Sequence, residues 1–134
     1  MTHQDDGARL SPSLYGDRRR LPWARPRPVL AFGWLEPGRP YRVGQCPVVV
    51  VAALERLEPV DRTRGFHACG FCEGAAAFAG APHRTLDGRD LVLGSASLAV
   101  TVGGNRWVAP NLVLHYITAH GYLPPDEGVR GLGG

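Results

Sequence analysis

Arg64-Gly-Phe-His67-Ala-Cys69-Gly-Phe-Cys72 is the stretch on which the fold turns, because it sets a histidine and two cysteines two and three positions apart. After 42 intervening residues comes a second cluster, His115-Tyr-Ile-Thr-Ala-His120, so the pattern reads H-x-C-x2-C followed by H-x4-H. Thiolate sulfur and imidazole nitrogen together are the donors that zinc prefers, and a closed site takes about four of them. Two thiolates cancel the charge of Zn²⁺, which lowers the cost of enclosing the ion in a small core. Cys69, Cys72 and His115 are the expected ligands. His67 is the expected fourth ligand and His120 the alternative, since H-x4-H places its two histidines roughly 140° apart around an ideal helix.

Working outward from the knuckle, Leu91-Val-Leu-Gly-Ser-Ala-Ser-Leu-Ala-Val-Thr-Val102 alternates apolar and polar residues. Gly103-Gly104-Asn105 then turns the chain into Arg106-Trp-Val108, which predicts a β-hairpin. Asn111-Leu-Val-Leu-His115-Tyr-Ile-Thr-Ala-His120 predicts a helix closed by Gly121 and stopped by Pro124-Pro125. Knuckle, hairpin and helix in that order resemble a treble-clef zinc finger.

Upstream, Val29-Leu-Ala-Phe-Gly-Trp-Leu35 reads as a buried strand ending at the turn Glu36-Pro-Gly-Arg-Pro40. Four valines from Val48 favour a strand. However, Pro47 at a helix start and the spacing of Val50, Leu54 and Leu57 favour a helix, with Glu55 and Arg56 facing solvent. The Ala- and Gly-rich run from Gly74 to Pro82 reads as a loop or weak helical turn. The expected fold is a small single-domain α+β protein: a zinc knuckle, an antiparallel β-hairpin and a C-terminal helix, with an N-terminal strand and one further helix. Residues 1–28 form an irregular Arg/Pro-rich lead, 29–127 the zinc-binding domain and 128–134 a flexible tail.

Composition agrees with such a fold. In 134 residues, 18 glycines and 12 prolines are too many for a helical bundle, while 44% hydrophobic and 20% charged residues are ordinary for a globular chain. All 15 basic residues are arginine, and the net charge of +3 is modest. Much of it lies in the lead, where Arg9, Arg18, Arg19, Arg20, Arg25 and Arg27 outnumber Asp5, Asp6 and Asp17. That lead is expected to be a solvated arm able to touch an acidic partner or phosphate. The start lacks the cationic and apolar run of a secretory signal, and no segment has the roughly 20 apolar residues needed to span a bilayer. Cytoplasmic residence is expected, where thiols stay reduced and Cys-x-x-Cys favours metal over a structural disulfide.

Gly33-Trp34-Leu35, the Gly65-Phe-His67-Ala-Cys69-Gly-Phe-Cys72 block, and His115-Tyr-Ile-Thr-Ala-His120-Gly-Tyr-Leu-Pro-Pro125 together resemble a family of short, uncharacterised bacterial proteins. Its blocks are G-W-L, G-F-H-x-C-x-x-C and H-Y-x-x-x-H-x-Y-x-P-P. The likeness runs from Leu10 to Pro125. The tail from Gly128 departs from it, being shorter and richer in glycine than a packed helical ending.

Two functions from different classes follow. In the first, zinc is structural and the domain is an interaction module for a protein partner, or for nucleic acid through the arginine-rich lead; Tyr116, Tyr122, Pro124 and Pro125 are its possible exposed surface, against burial beneath the helix. In the second, the chain is a small zinc-dependent hydrolase or nuclease-like enzyme. There His67, Cys69 and Cys72 hold a metal with an open position, and His115, His120 or Glu73 serves as acid or base. The signature of zinc deaminases is absent. A thioredoxin-like redox role for Cys69-x-x-Cys72 would require the pair at a helix start within βαβ order, unlike this arrangement. Cys46 stands apart as a lone thiol.

Overall fold

In the computed structural model, residues 3–17, 23, 27–62, 67–72 and 82–132 are described. The hairpin expected from the Gly103-Gly104 turn is present: β4 (Ser97–Val102) pairs antiparallel with β5 (Asn105–Pro110), Val102 opposite Asn105 and Ser97 opposite Pro110. On the other side of β5 lies β1 (Val29–Ala31), running parallel to it with Leu30 opposite Trp107. The result is a mixed three-stranded sheet in the order β1-β5-β4. Only the first three residues of the apolar run 29–35 pair as strand, although Phe32, Trp34 and Leu35 beyond them are also buried.

Alternation along β5 assigns its two faces to two cores, as the period of a strand requires. Trp107 and Ala109 join Leu98, Val100, Leu54, Leu114 and Tyr116 in the larger core. Val108 instead packs with Val29, Ala31, Leu10 and Trp34 in the smaller one. The lead takes part in this second core. Gly7 N–H donates to Ala31 O and Leu10 N–H to Val29 O, and the short helix α1 (Pro12–Tyr15) sets the Tyr15 ring edge-on to Trp34 at 5.6 Å.

Helix α2 (Val48–Glu55) forms as the Pro47 signal and apolar spacing predict, burying Val50, Val51 and Leu54. Arg56 is exposed, as expected. Glu55 is not: it is buried, and its carboxylate meets His83 of β2 (Pro82–Arg84). β2 pairs antiparallel with β3 (Asp90–Val92) in a second, two-stranded sheet that the sequence reading did not foresee. The segment read as a loop or helical turn from Gly74 to Pro82 lies outside the described residues except for Pro82, which opens β2.

Helix α3 (Val113–His120) follows the hairpin directly and buries Val113, Leu114, Tyr116 and Ile117, each such side chain contributing about 1.5–3 kcal/mol by leaving water. It ends where expected, at Gly121, whose φ of 67° is the left-handed C-cap conformation that glycine adopts without steric cost. Beyond it a last turn, α4 (Asp126–Val129), buries Gly128 beside Trp107, and Val129 and Leu132 pack on the larger core. The architecture is thus α+β, with a mixed sheet and few, short helices.

Candidate metal centre

Two chain segments supply the centre, and the turn at Gly94 ties both in place. The buried Asn111, immediately before α3, accepts the Gly94 N–H on its Oδ1 at 2.7 Å. The Gly94 carbonyl accepts the N–H of His67, at the entry to the knuckle, at 2.8 Å. Within the knuckle the Cys72 N–H turns back to Cys69 O. Gly70 lies so close to Pro37, in the turn at 36–40, that a Cβ there would sit 2.8 Å from the Pro37 ring, so the knuckle can reach that turn only with glycine at this position.

The knuckle thereby faces α3. Cys72 Sγ lies 3.3 Å from Nε2 of His115 and 3.4 Å from Nε2 of His120, and Cys69 Sγ lies 3.4 Å from Nε2 of His120. All four donor atoms fall within 4.8 Å of one another. For a tetrahedral zinc with the usual bond lengths, the sulfur–nitrogen edge would be about 3.6 Å, so these separations fit one ion at the centre. Thiol–imidazole hydrogen bonds fit less well. Cys72 has one S–H to give and two imidazole nitrogens at hand, and a thiol sulfur is a weak acceptor for an N–H.

Of the residues singled out from the sequence, the structure brings together Cys69, Cys72, His115 and His120, and His67 lies outside the group. The H-x4-H spacing requires no broken helix. His120 is the last residue of α3, the two imidazole rings lie 5.0 Å apart at 77°, and Cys72 reaches both. His67 is exposed and lines a different cavity with Trp34, Asp61 and Ser97. Glu73 lies outside the described residues. Cys46 is a free thiol outside the group, raised in pKa by partial burial.

Burial governs the electrostatics of the centre. It raises the Cys69 thiol pKa, and the neighbouring Cys72 pushes the same way, while backbone N–H groups of the knuckle oppose the shift. The His115 pKa is lowered, first by burial and then by the charges of His120 and His83, which favours the neutral imidazole with its lone pair available. A dication at the centre would answer both problems, compensating thiolates at the buried Cys69 and the half-buried Cys72 and taking up imidazole lone pairs.

An aromatic wall that sequence reasoning missed surrounds His120. The Phe71 ring lies 5.3 Å from His120, 5.9 Å from Tyr116 and 5.5 Å from Tyr41, and the Tyr41 hydroxyl donates to the His120 carbonyl at 2.9 Å. The one available signal was Phe71 itself, between the two cysteines. Tyr116, Tyr122 and Pro124 are fully buried, so the chain offers no recognition surface made from them.

Among the described residues no helix is long and apolar enough to cross a membrane. No curated protein and no solved structure matches the chain. One family model does, over residues 4–132, which takes in the N-terminal segment, the knuckle and α3 together. The chain therefore belongs to the family described as a domain of unknown function, DUF7919.

Proposed function

We propose that this chain is a zinc protein in which Cys69, Cys72, His115 and His120 hold one structural ion, and that the unit so closed serves as an interaction module. The observation that carries the reading is the convergence of two sulfurs and two imidazole nitrogens, from segments more than 40 positions apart, at near-tetrahedral separations. Softness of the donors favours zinc over calcium or magnesium, which take oxygen. Four protein donors complete a tetrahedral shell, which supports a structural role over the hydrolase or nuclease-like alternative, in which a position must stay open for water. The order knuckle, β4–β5 hairpin, α3 supports a treble-clef-like unit, with β2 and β3 inserted between knuckle and hairpin.

A protein is the partner we favour, because Val43, Val48, Val49 and Leu86 are large apolar side chains left exposed. Two metal-ready thiols suit a reducing, cytoplasmic setting. The test is zinc content of protein purified without added metal, paired with binding to generic DNA or RNA at rising salt. Zinc retained with no steep salt-dependent affinity supports the reading. A nucleic-acid affinity that collapses with salt makes the arginine-rich lead the functional element.

A further inference from the structure

A second candidate site is lined by none of the four clustered Cys and His residues, and it does not depend on zinc. Between the C-terminal end of α2 with the segment after it, and β3, β4 and α3, the surface folds in to a cavity of about 300 Å³, at the lower end of the range for small-molecule sites. Leu54, Leu93, Leu98 and Leu114 form its deep, buried apolar wall.

Its polar side chains are three arginines and Asn111 set against Glu55, Glu58 and Asp90. Asn111, 5% exposed, has its Oδ1 occupied by Gly94 N–H, so the side-chain NH2 is what it can direct at a guest, and no described residue accepts from that NH2. At the mouth stand Arg56 and Arg62, both exposed and neither ion-paired with any described residue. Arg89, also at the mouth, is engaged with Asp87 and with the Glu55 carbonyl. The acids beside them are largely committed. Both carboxylate oxygens of Glu55 are taken, by His83 and the Leu86 N–H, and Asp90 is paired with Arg84, which leaves Glu58 against two guanidinium groups. A buried amide donor with two guanidinium groups that pair with no described residue, above a leucine wall, matches a guest that is anionic at one end and apolar at the other.

We propose that this cavity binds a small organic carboxylate with a compact apolar body, its head held by Arg56, Arg62 and Asn111 and its body against the leucines. The guest is a free small molecule; the depth of the wall and the size of the cavity suit one chain or ring.

The test titrates the full-length, metal-replete protein with octanoate and, separately, with octylammonium, which has the same apolar body and the opposite charge. Binding is read by calorimetry and by the side-chain amide signals of Asn111 in nitrogen–proton spectra. The expected result is saturable octanoate binding that shifts the Asn111 amide, with octylammonium at least tenfold weaker. The double substitution Arg56→Glu with Arg62→Glu should weaken octanoate tenfold or more. If that variant fails to fold, Arg62→Gln alone should weaken it several-fold with an unchanged melting temperature. Octanoate that does not saturate, the two probes binding alike, or a folded arginine variant that binds octanoate as tightly as the parent would each overturn the proposal.

Discussion

Cys72 Sγ lies 3.3 Å from Nε2 of His115, 43 positions away along the chain, and this contact joins the knuckle to α3. Cys72 also lies 3.4 Å from His120, so it shares two edges of the same small polyhedron. Separate substitutions should therefore differ sharply. Cys72→Ser and His120→Ala are expected to lose most bound zinc, whereas His67→Ala, outside the group, should keep nearly one ion per chain. Metal analysis after exhaustive dialysis reads the difference, and zinc lost from His67→Ala but retained by His120→Ala would reverse the assignment of the fourth ligand.

Protons should compete with the metal, because zinc needs both thiolates. Apparent zinc affinity is expected to fall on acidification by up to about a hundredfold per pH unit, two protons replacing one ion. The metal-free form should behave differently on its two sides. His115 has a folded pKa below its ordinary 6.5, so its contribution to stability is present above pH 6.5 and lost as pH falls through the folded value. Cys69 has a folded pKa above its ordinary 9.0, so its contribution is present below pH 9.0 and lost as pH rises through the folded value. Denaturant melts across pH should show both losses in the metal-free form, and no alkaline loss from Cys69 in the zinc form.

Glu55 is expected to be the costliest single surface-to-core polar loss near α2. Its side chain is 3% exposed; Oε2 meets His83 Nε2 at 2.7 Å, and Oε1 accepts the Leu86 N–H at 2.9 Å. Glu55→Ala should destabilise the fold by about 3 kcal/mol, as removal of one partner from a buried pair does. The double variant Glu55→Ala with His83→Leu should cost less than the sum of the two single changes, a coupling that urea titration can read.

Tyr122 and Asp6 provide an asymmetric test of how the N-terminal segment is held. The fully buried Tyr122 donates its hydroxyl to both Asp6 oxygens, at 2.9 and 3.0 Å, and Asp6 also accepts the Gly33 N–H. Tyr122→Phe removes the donor and should cost about 1 kcal/mol. Asp6→Ala strands a buried hydroxyl and a backbone N–H, and should cost about twice as much. Equal costs would mean that the hydroxyl finds water in the variant.

The periodic parts of this chain were legible before the structure. Val50 and Leu54 in α2, the Gly103-Gly104 turn, and Gly121 closing α3 are local signals with local causes, and the structure follows each. The sequence also held the Cys/His pattern, down to the five residues from which the observed cluster of four is drawn. What it hid depends on distant partners. Glu55 reads as a solvent-facing residue until His83 and Leu86 arrive from another sheet to satisfy it. β2 and β3 are three residues each and begin with Pro82 and Asp90, which carry little strand signal. Which of His67 and His120 lies beside the cysteines depends on which way the knuckle faces, and there His67 N–H meets Gly94 O while Gly70 lies close against Pro37. Spacing along the chain contains neither.

The most direct measurement of the central claim is metal content by mass spectrometry on protein purified without added zinc, with thermal melting before and after a strong chelator. Close to one zinc per chain is expected, with a large fall in melting temperature once the ion is removed. Protein that carries no metal and melts at the same temperature with and without the chelator would contradict it.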